Sequence, residues 1–247
     1  GLTDTALREV ATVAAARERI RELIDAGADA VKLFASSPAA GRLEPDVMRA
    51  AVDAAHAAGK LVFAHPNDAA DVLAALDAGV DVIAHTTPRS GAWDDGLLAQ
   101  MESQAVALIP TLMVWNSLLR HDRLSVREHL VATAVEQLAA WFARGGCVLF
   151  GTDLGAVEYD AGDEYELMAA AGATFPAILA SLTTAPSQRI DGNARRGEVR
   201  VGNSADLTVL ASDPAVNVRA LAAVRYTIRA GEIVYAEPTG RTPNLRA

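Results

Sequence analysis

Four residues of the kinds that bind metal ions or move protons sit in or at the ends of apolar runs. Lys32 lies in Ala-Val-Lys-Leu-Phe, His65 closes Leu-Val-Phe-Ala-His, His85 closes Asp-Val-Ile-Ala-His, and Asp153 closes Leu-Phe-Gly-Thr-Asp. Two neutral imidazoles and an ionised carboxylate around one point form a donor set suited to zinc or a similar divalent ion. Lys32 poses a different problem, because an ammonium in an apolar strand is costly unless it is paired or neutralised. Burial lowers its pKa toward a neutral amine. Such an amine can form a Schiff base with a carbonyl substrate. It can also take up carbon dioxide to become a carbamate, an anionic ligand able to bridge two metal ions. Of the 22 basic side chains only Lys32 and Lys60 are lysines, so Lys32 is a candidate for chemistry that a guanidinium cannot perform.

Each of these residues also has a structural reading. A histidine at a strand end often serves as a hydrogen-bonded core or turn residue, Asp153 could cap the segment that follows it, and Lys32 could reach solvent. Four such residues on separate apolar runs favour a shared site. The other histidines do not join it. His56 falls on the helix face of Arg49 and Asp53, pointing to water, and His121 and His129 fall in a polar connection. Trp93, Trp115 and Tyr159 follow strand ends, where they could line a pocket or simply pack.

The elements that must position the four residues are legible as an alternation. Apolar runs at 30–35, 61–65, 80–85, 106–111 and 147–153 lack a polar-apolar alternation and are expected to be strands buried on both faces. Between them, 45–58 carries apolar residues at helical spacing, with Pro45 in its first turn and Gly59 just past its end. Asp68 is placed to cap a second helix that Gly79 stops, and a longer helix carrying Val131, Ala134, Val135, Leu138 and Phe142 ends at Gly145 and Gly146. Strands alternating with helices imply parallel pairing, hence an α/β fold, and in a parallel barrel the active site forms at the carboxyl ends of the strands. Beyond about residue 190, short β-rich pieces at 205–210 and 224–228 replace the helices, and the last ten residues read as an irregular tail. The expected division is 1–190, a β/α barrel portion, and 191–247, a small β-rich segment.

Thirty-one acidic against 22 basic residues leave a net charge of −9, which disfavours nucleic acid and anionic membranes as partners. No apolar run approaches the roughly 18 residues of a membrane span. The single cysteine, Cys147, lies in an apolar run and reads as a small core residue, in keeping with a reducing, cytoplasmic setting.

The segments GADAVKLF, AVDAAHAAGKLVFAH, ALDAGVDVIAHTT, VALIPTL, VLFGTDLG and VGNSADLTVLASDP, in this order, resemble the amidohydrolase superfamily, in particular its imidazolonepropionase-like and Xaa-Pro dipeptidase-like branch. The resemblance runs from Asp25 to Tyr235. It implies a TIM-type β/α barrel with a small C-terminal β-sandwich appendage, and a metal-dependent hydrolase of C–N bonds in dipeptides, N-acyl amino acids or cyclic amides. It further implies that Lys32 is a carboxylated lysine bridging two metal ions and that His65 and His85 hold the second metal. Asp153 would hold the first, and as general base would take a proton from metal-activated water and deliver it to the leaving nitrogen. Zinc, as one or two ions, is the expected metal.

The chain departs from the family pattern in several places. The family's opening strand carries a His-Xaa-His pair that these 247 residues lack, and five strands are found where a barrel has eight. The chain is therefore expected to be the C-terminal portion of a longer enzyme, joined by a complementing N-terminal segment or by further copies of itself. Ala84 stands where relatives commonly carry an acid, and Pro66-Asn67 where small residues are frequent. Two competing readings are a metal-free, aldolase-like barrel using Lys32 as a Schiff-base nucleophile, and a catalytically silent partner subunit.

Overall fold

The computed structural model describes residues 9–37, 41–153, 160–192 and 195–238. In chain order, helix α1 (Val13–Asp25) leads into strand β1 (Ala30–Phe34). A two-stranded antiparallel ribbon follows, β2 (Ser36–Ser37) and β3 (Gly41–Arg42), then α2 (Pro45–Ala57), β4 (Leu61–His65) and α3 (Ala69–Ala78). Next come β5 (Val82–Ala84), α4 (Asp95–Ser103), β6 (Ala107–Ile109), α5 (Met113–Leu118), α6 (Leu124–Ala143) and β7 (Cys147–Val148). Two further helices, α7 (Ala161–Ala170) and α8 (Phe175–Leu182), precede the strands β8 (Leu207–Leu210), β9 (Val224–Arg229) and β10 (Glu232–Ala236).

The molecule divides into two compact units. The first, Gly1–Pro110 with Ala132–Val148, contains the parallel sheet. Its strand order is β1-β4-β5-β6-β7, each strand beside its successor, as right-handed β-α-β crossovers produce. The order leaves β1 and β7 as the two edges, so the sheet does not close on itself among the described residues. Local chemistry explains the helices. Pro45 occupies the first turn of α2, the Asp68 carboxylate accepts the Asp71 N–H at the start of α3, and Gly79 takes the left-handed conformation (φ 89°) that ends it.

Burial along the strands departs from the sequence expectation. β5 is buried throughout, but β1 and β4 alternate: Val31, Leu33, Val62 and Ala64 are buried on the side where α2 packs, whereas Lys32 on the opposite face is exposed. Successive side chains of a strand point to opposite faces, and on the Lys32 face of β1 the flanking Ala30 and Phe34 are half-buried. The ammonium of Lys32 therefore does not sit in an apolar interior. The strands are also shorter than the apolar runs, since the run at 80–85 pairs only over Val82–Ala84 and that at 147–153 only over Cys147–Val148. Asp153 thus lies five residues past the end of β7 rather than at its tip.

The second unit, Thr111–Val131 with Leu149–Ala247, holds α5, α7, α8 and the antiparallel sheet β10-β9-β8. Helices α7 and α8 begin at side-chain caps, Asp160 and Thr174, that the sequence reading passed over. Arg219 ties the turn before β9 to α7 by ion pairs with Asp160 (2.6 Å), Asp163 (2.8 Å) and Glu166 (2.7 Å). The irregular tail and Tyr159 fall outside the described residues. No helix among the described residues is long and apolar enough to cross a membrane.

One close approach in the first unit sets a local requirement. The Trp141 indole is 1% exposed, donates to the Cys147 carbonyl (3.0 Å) and lies directly over Gly146, where a β-carbon would overlap the ring. Gly146→Ala should destabilise the fold by about 1–3 kcal/mol through this overpacking. Urea unfolding tests it, and a midpoint equal to that of the parent chain would contradict the assignment.

Candidate functional site

The parallel register places the two candidate imidazoles on adjacent strands. Phe34 of β1 pairs with His65 at the end of β4, and His85 directly follows β5, the next strand. The His65 and His85 rings meet edge to face with centroids 4.6 Å apart, and the Phe34 ring lies 4.9 Å from His65 on a tilted plane. His65 is half-buried and His85 is 6% exposed. Burial pushes the His85 imidazole down to about 3, and the positive charges of His65 and Lys32 act in the same direction. His85 is accordingly neutral at physiological pH, the protonation state in which an imidazole nitrogen can donate a lone pair.

The backbone at His85 is left-handed (φ 84°), an uncommon conformation for a residue with a side chain, costing about 1–3 kcal/mol unless the surroundings fix it. Two other residues that follow strands of the parallel sheet share it, Thr111 after β6 (φ 45°) and Asp153 after β7 (φ 55°).

Buried polar side chains hold these loops. Asp71, fully buried in the first turn of α3, accepts from the Ser36 hydroxyl, from Arg42 Nε (2.6 Å) and from the Asn67 N–H (2.9 Å). Burial alone would push its carboxyl up, but these hydrogen bonds together hold it below the usual range. Asn67 in turn donates to the Ser36 carbonyl (3.0 Å) and hydroxyl (2.9 Å), which points its amide oxygen at His65 Nε2, 3.4 Å away. The loops after β1 and β4 are thereby joined beside His65. In the second unit Glu164, also fully buried, accepts from the N–H groups of Leu112 (2.9 Å) and Met113 (2.8 Å) next to Thr111. In the sequence Asn67 registers only as a departure from the family pattern. Asp71 and Glu164 give no signal there, since their partners are backbone groups and side chains of distant loops.

The structure brings Lys32, His65 and His85 to one sheet in the first unit, with the Lys32 ammonium 5.9 Å from the Phe34 ring centroid. Asp153 belongs to the second unit and is exposed. Among the described residues no three His, Cys, Asp or Glu side chains gather into a metal-holding group. His56 lies outside this set, bonded to Asp81 (2.9 Å) on the far side of α2. His121 is exposed, and His129 is exposed on α6 rather than in a polar connection, because the helix begins at Leu124. Trp93 is buried with its indole N–H donated to the Thr87 hydroxyl (2.8 Å), Trp115 is half-buried on α5, and Cys147 is half-buried in β7.

The amidohydrolase family profile matches residues 3–235. Solved structures of similar fold include a prolidase complexed with N-methylphosphonate-L-proline, at 26% identity over 93% of this chain and 60% of that chain, TM-score 0.79. A candidate prolidase from Bifidobacterium longum is similar at 28% identity over 95% of this chain and 62% of that one, TM-score 0.80. A Xaa-Pro dipeptidase with methionine in its active site shares the fold at 21% identity over 92% and 59%, TM-score 0.80. This chain spans about 60% of the length of these structures. No curated protein sequence matches it.

The Glu164 carboxyl carries a pH signature. Burial raises it to about 7 against the opposing bonds from Met113 and Leu112, so the folded chain binds a proton there that the unfolded chain, near 4.5, has released. The stabilisation is fully present below about pH 4.5 and is lost as pH rises through about 7, a change of roughly 3 kcal/mol. Glu164→Gln should abolish this part of the pH dependence in urea unfolding between pH 4.5 and 7.5. An identical slope in parent and variant would contradict it.

Proposed function

Because this chain belongs to the amidohydrolase family, we propose that it is a metal-dependent hydrolase of C–N bonds, built on Lys32, His65, His85 and Asp153. The observation that carries the reading is the pair of imidazoles 4.6 Å apart at the ends of adjacent parallel strands, one held neutral by burial. Imidazole nitrogen donors at this spacing fit a zinc-like divalent ion, with His65 and His85 as its protein ligands. Lys32, exposed on the same sheet, is open to carbon dioxide: its amine would form the carbamate and release a proton, supplying an anionic ligand able to bridge a second ion. Such an ion, when bound, polarises the scissile carbonyl and activates water.

The chain's own groups supply the rest. Asp153 takes the proton of the attacking water on its carboxylate and delivers it to the leaving nitrogen, so the C–N bond breaks with the amine neutral. Burial, with His65 and Lys32, holds the His85 ring toward its unprotonated form. The substrate class that suits this reading is a small amide or dipeptide, with Xaa-Pro dipeptides first because of the likeness to prolidases at 26% and 28% identity. Residues 1–190 are assigned to the catalytic β/α portion and 191–247, which contain β8–β10, to the appended β-rich portion.

Titration of the full chain with zinc tests the assignment. His65→Ala and His85→Ala should each weaken binding at least about tenfold, and a chelator should abolish any Xaa-Pro hydrolysis, with zinc restoring it. Zinc binding that is unchanged in both variants would overturn the reading. Trapping of Lys32 by borohydride in the presence of a carbonyl substrate would move the assignment to Schiff-base chemistry.

A further inference from the structure

Helix α6 carries two buried polar residues that an apolar stripe does not call for, Thr133 and Gln137. Gln137 is 1% exposed, and its amide is spent on the loop that follows β5. Its Oε1 accepts from the Thr87 N–H (2.8 Å), and its Nε2 donates to the carbonyls of Thr87 (3.0 Å) and Gly91 (2.6 Å). The orientation of the amide is fixed, because an N–H requires the oxygen opposite it and two carbonyls require the nitrogen. Grasping both the N–H and the C=O of one residue, Gln137 does for Thr87 what a neighbouring strand would do.

Thr87 is two residues beyond His85, and the turn between them contains the left-handed backbone of His85. On its upstream side the turn is pinned to β6, with His85 N–H donating to the Ile109 carbonyl (2.7 Å) and Thr86 N–H to the Pro110 carbonyl (3.2 Å). On its downstream side the backbone of Thr87 is pinned by Gln137, while the Thr87 hydroxyl accepts from Trp93 Nε1 (2.8 Å). A turn held at one end only would relax its unfavourable φ by rotating His85. Fixed at both ends, it cannot.

We propose that Gln137 is a positioning residue for His85. By clamping the Thr87 backbone it locks the strained turn and so sets the direction of the His85 imidazole toward His65. The importance of that direction for metal binding rests on the function proposed above, but the positioning itself does not.

The two are separable by experiment on the full chain. In Gln137→Met, which keeps the bulk and removes the hydrogen bonds, the ring resonances of His85 in the metal-free chain should shift or broaden relative to the parent. The ring of His56, which lies on α2 and bonds to Asp81, should stay unchanged. Zinc alone should bind the variant at least about tenfold more weakly, in the range seen when a group orienting a ligand is lost. A variant that is less stable but has His85 resonances identical to the parent would overturn the proposal, since a purely structural clamp predicts that outcome. If Gln137→Met does not fold, Gln137→Glu retains an acceptor for the Thr87 N–H while deleting both donations, and the same two outcomes apply. If the parent itself binds no zinc, the metal reading falls, while the His85 resonances still decide the role of Gln137.

Discussion

A chain that leaves a parallel strand and starts back along a helix must turn within a few residues, and here three of those turns pass through left-handed backbone at residues that have side chains. His85 and Thr111 carry a positive φ just beyond β5 and β6, and Asp153 carries one five residues past β7. Such a conformation persists only where the surroundings over-determine it. Two of the three, His85 and Asp153, are proposed site residues.

The fixing groups follow a common plan. Asp71 on α3, Gln137 on α6 and Glu164 on α7 are polar side chains with almost no exposure, and each spends its hydrogen-bonding capacity on loops beyond strand ends. Burying them is favourable only because their polar atoms are matched by backbone donors or acceptors and by side chains such as Ser36 and Arg42. Matched in this way they convert flexible connections into rigid ones, and that rigidity is what a ligand set distributed over several strands requires. His65 receives a further constraint from the Phe34 ring on one side and the His85 ring on the other.

Much of this organisation is legible in the sequence. The strand-helix alternation, the start of α2 at Pro45, the cap at Asp68 and the stops at Gly79 and Gly145 follow from local chemistry, and the structure has them there. The placement of His65 and His85 on adjacent strands follows from the order of the apolar runs. What the sequence hides is whatever depends on which face of an element is covered. Lys32 reads as buried because its neighbours in sequence are apolar, yet it is exposed, since the fully buried residues of β1, Val31 and Leu33, lie on the other face. Gln137 and Glu164 read as ordinary polar helix residues because their partners lie about 50 residues away along the chain. Helices α7 and α8 go unread because their short apolar patterns are weaker than the caps that begin them.

The central claim, that His65 and His85 together hold a divalent metal ion, is tested most directly by X-ray absorption at the zinc edge on the zinc-loaded full chain. The expected first shell contains two nitrogen donors with the outer-shell scattering characteristic of imidazole, reduced by one ring in each single His→Ala variant. A shell of oxygen donors without imidazole scattering, identical in the parent and in both variants, would contradict it.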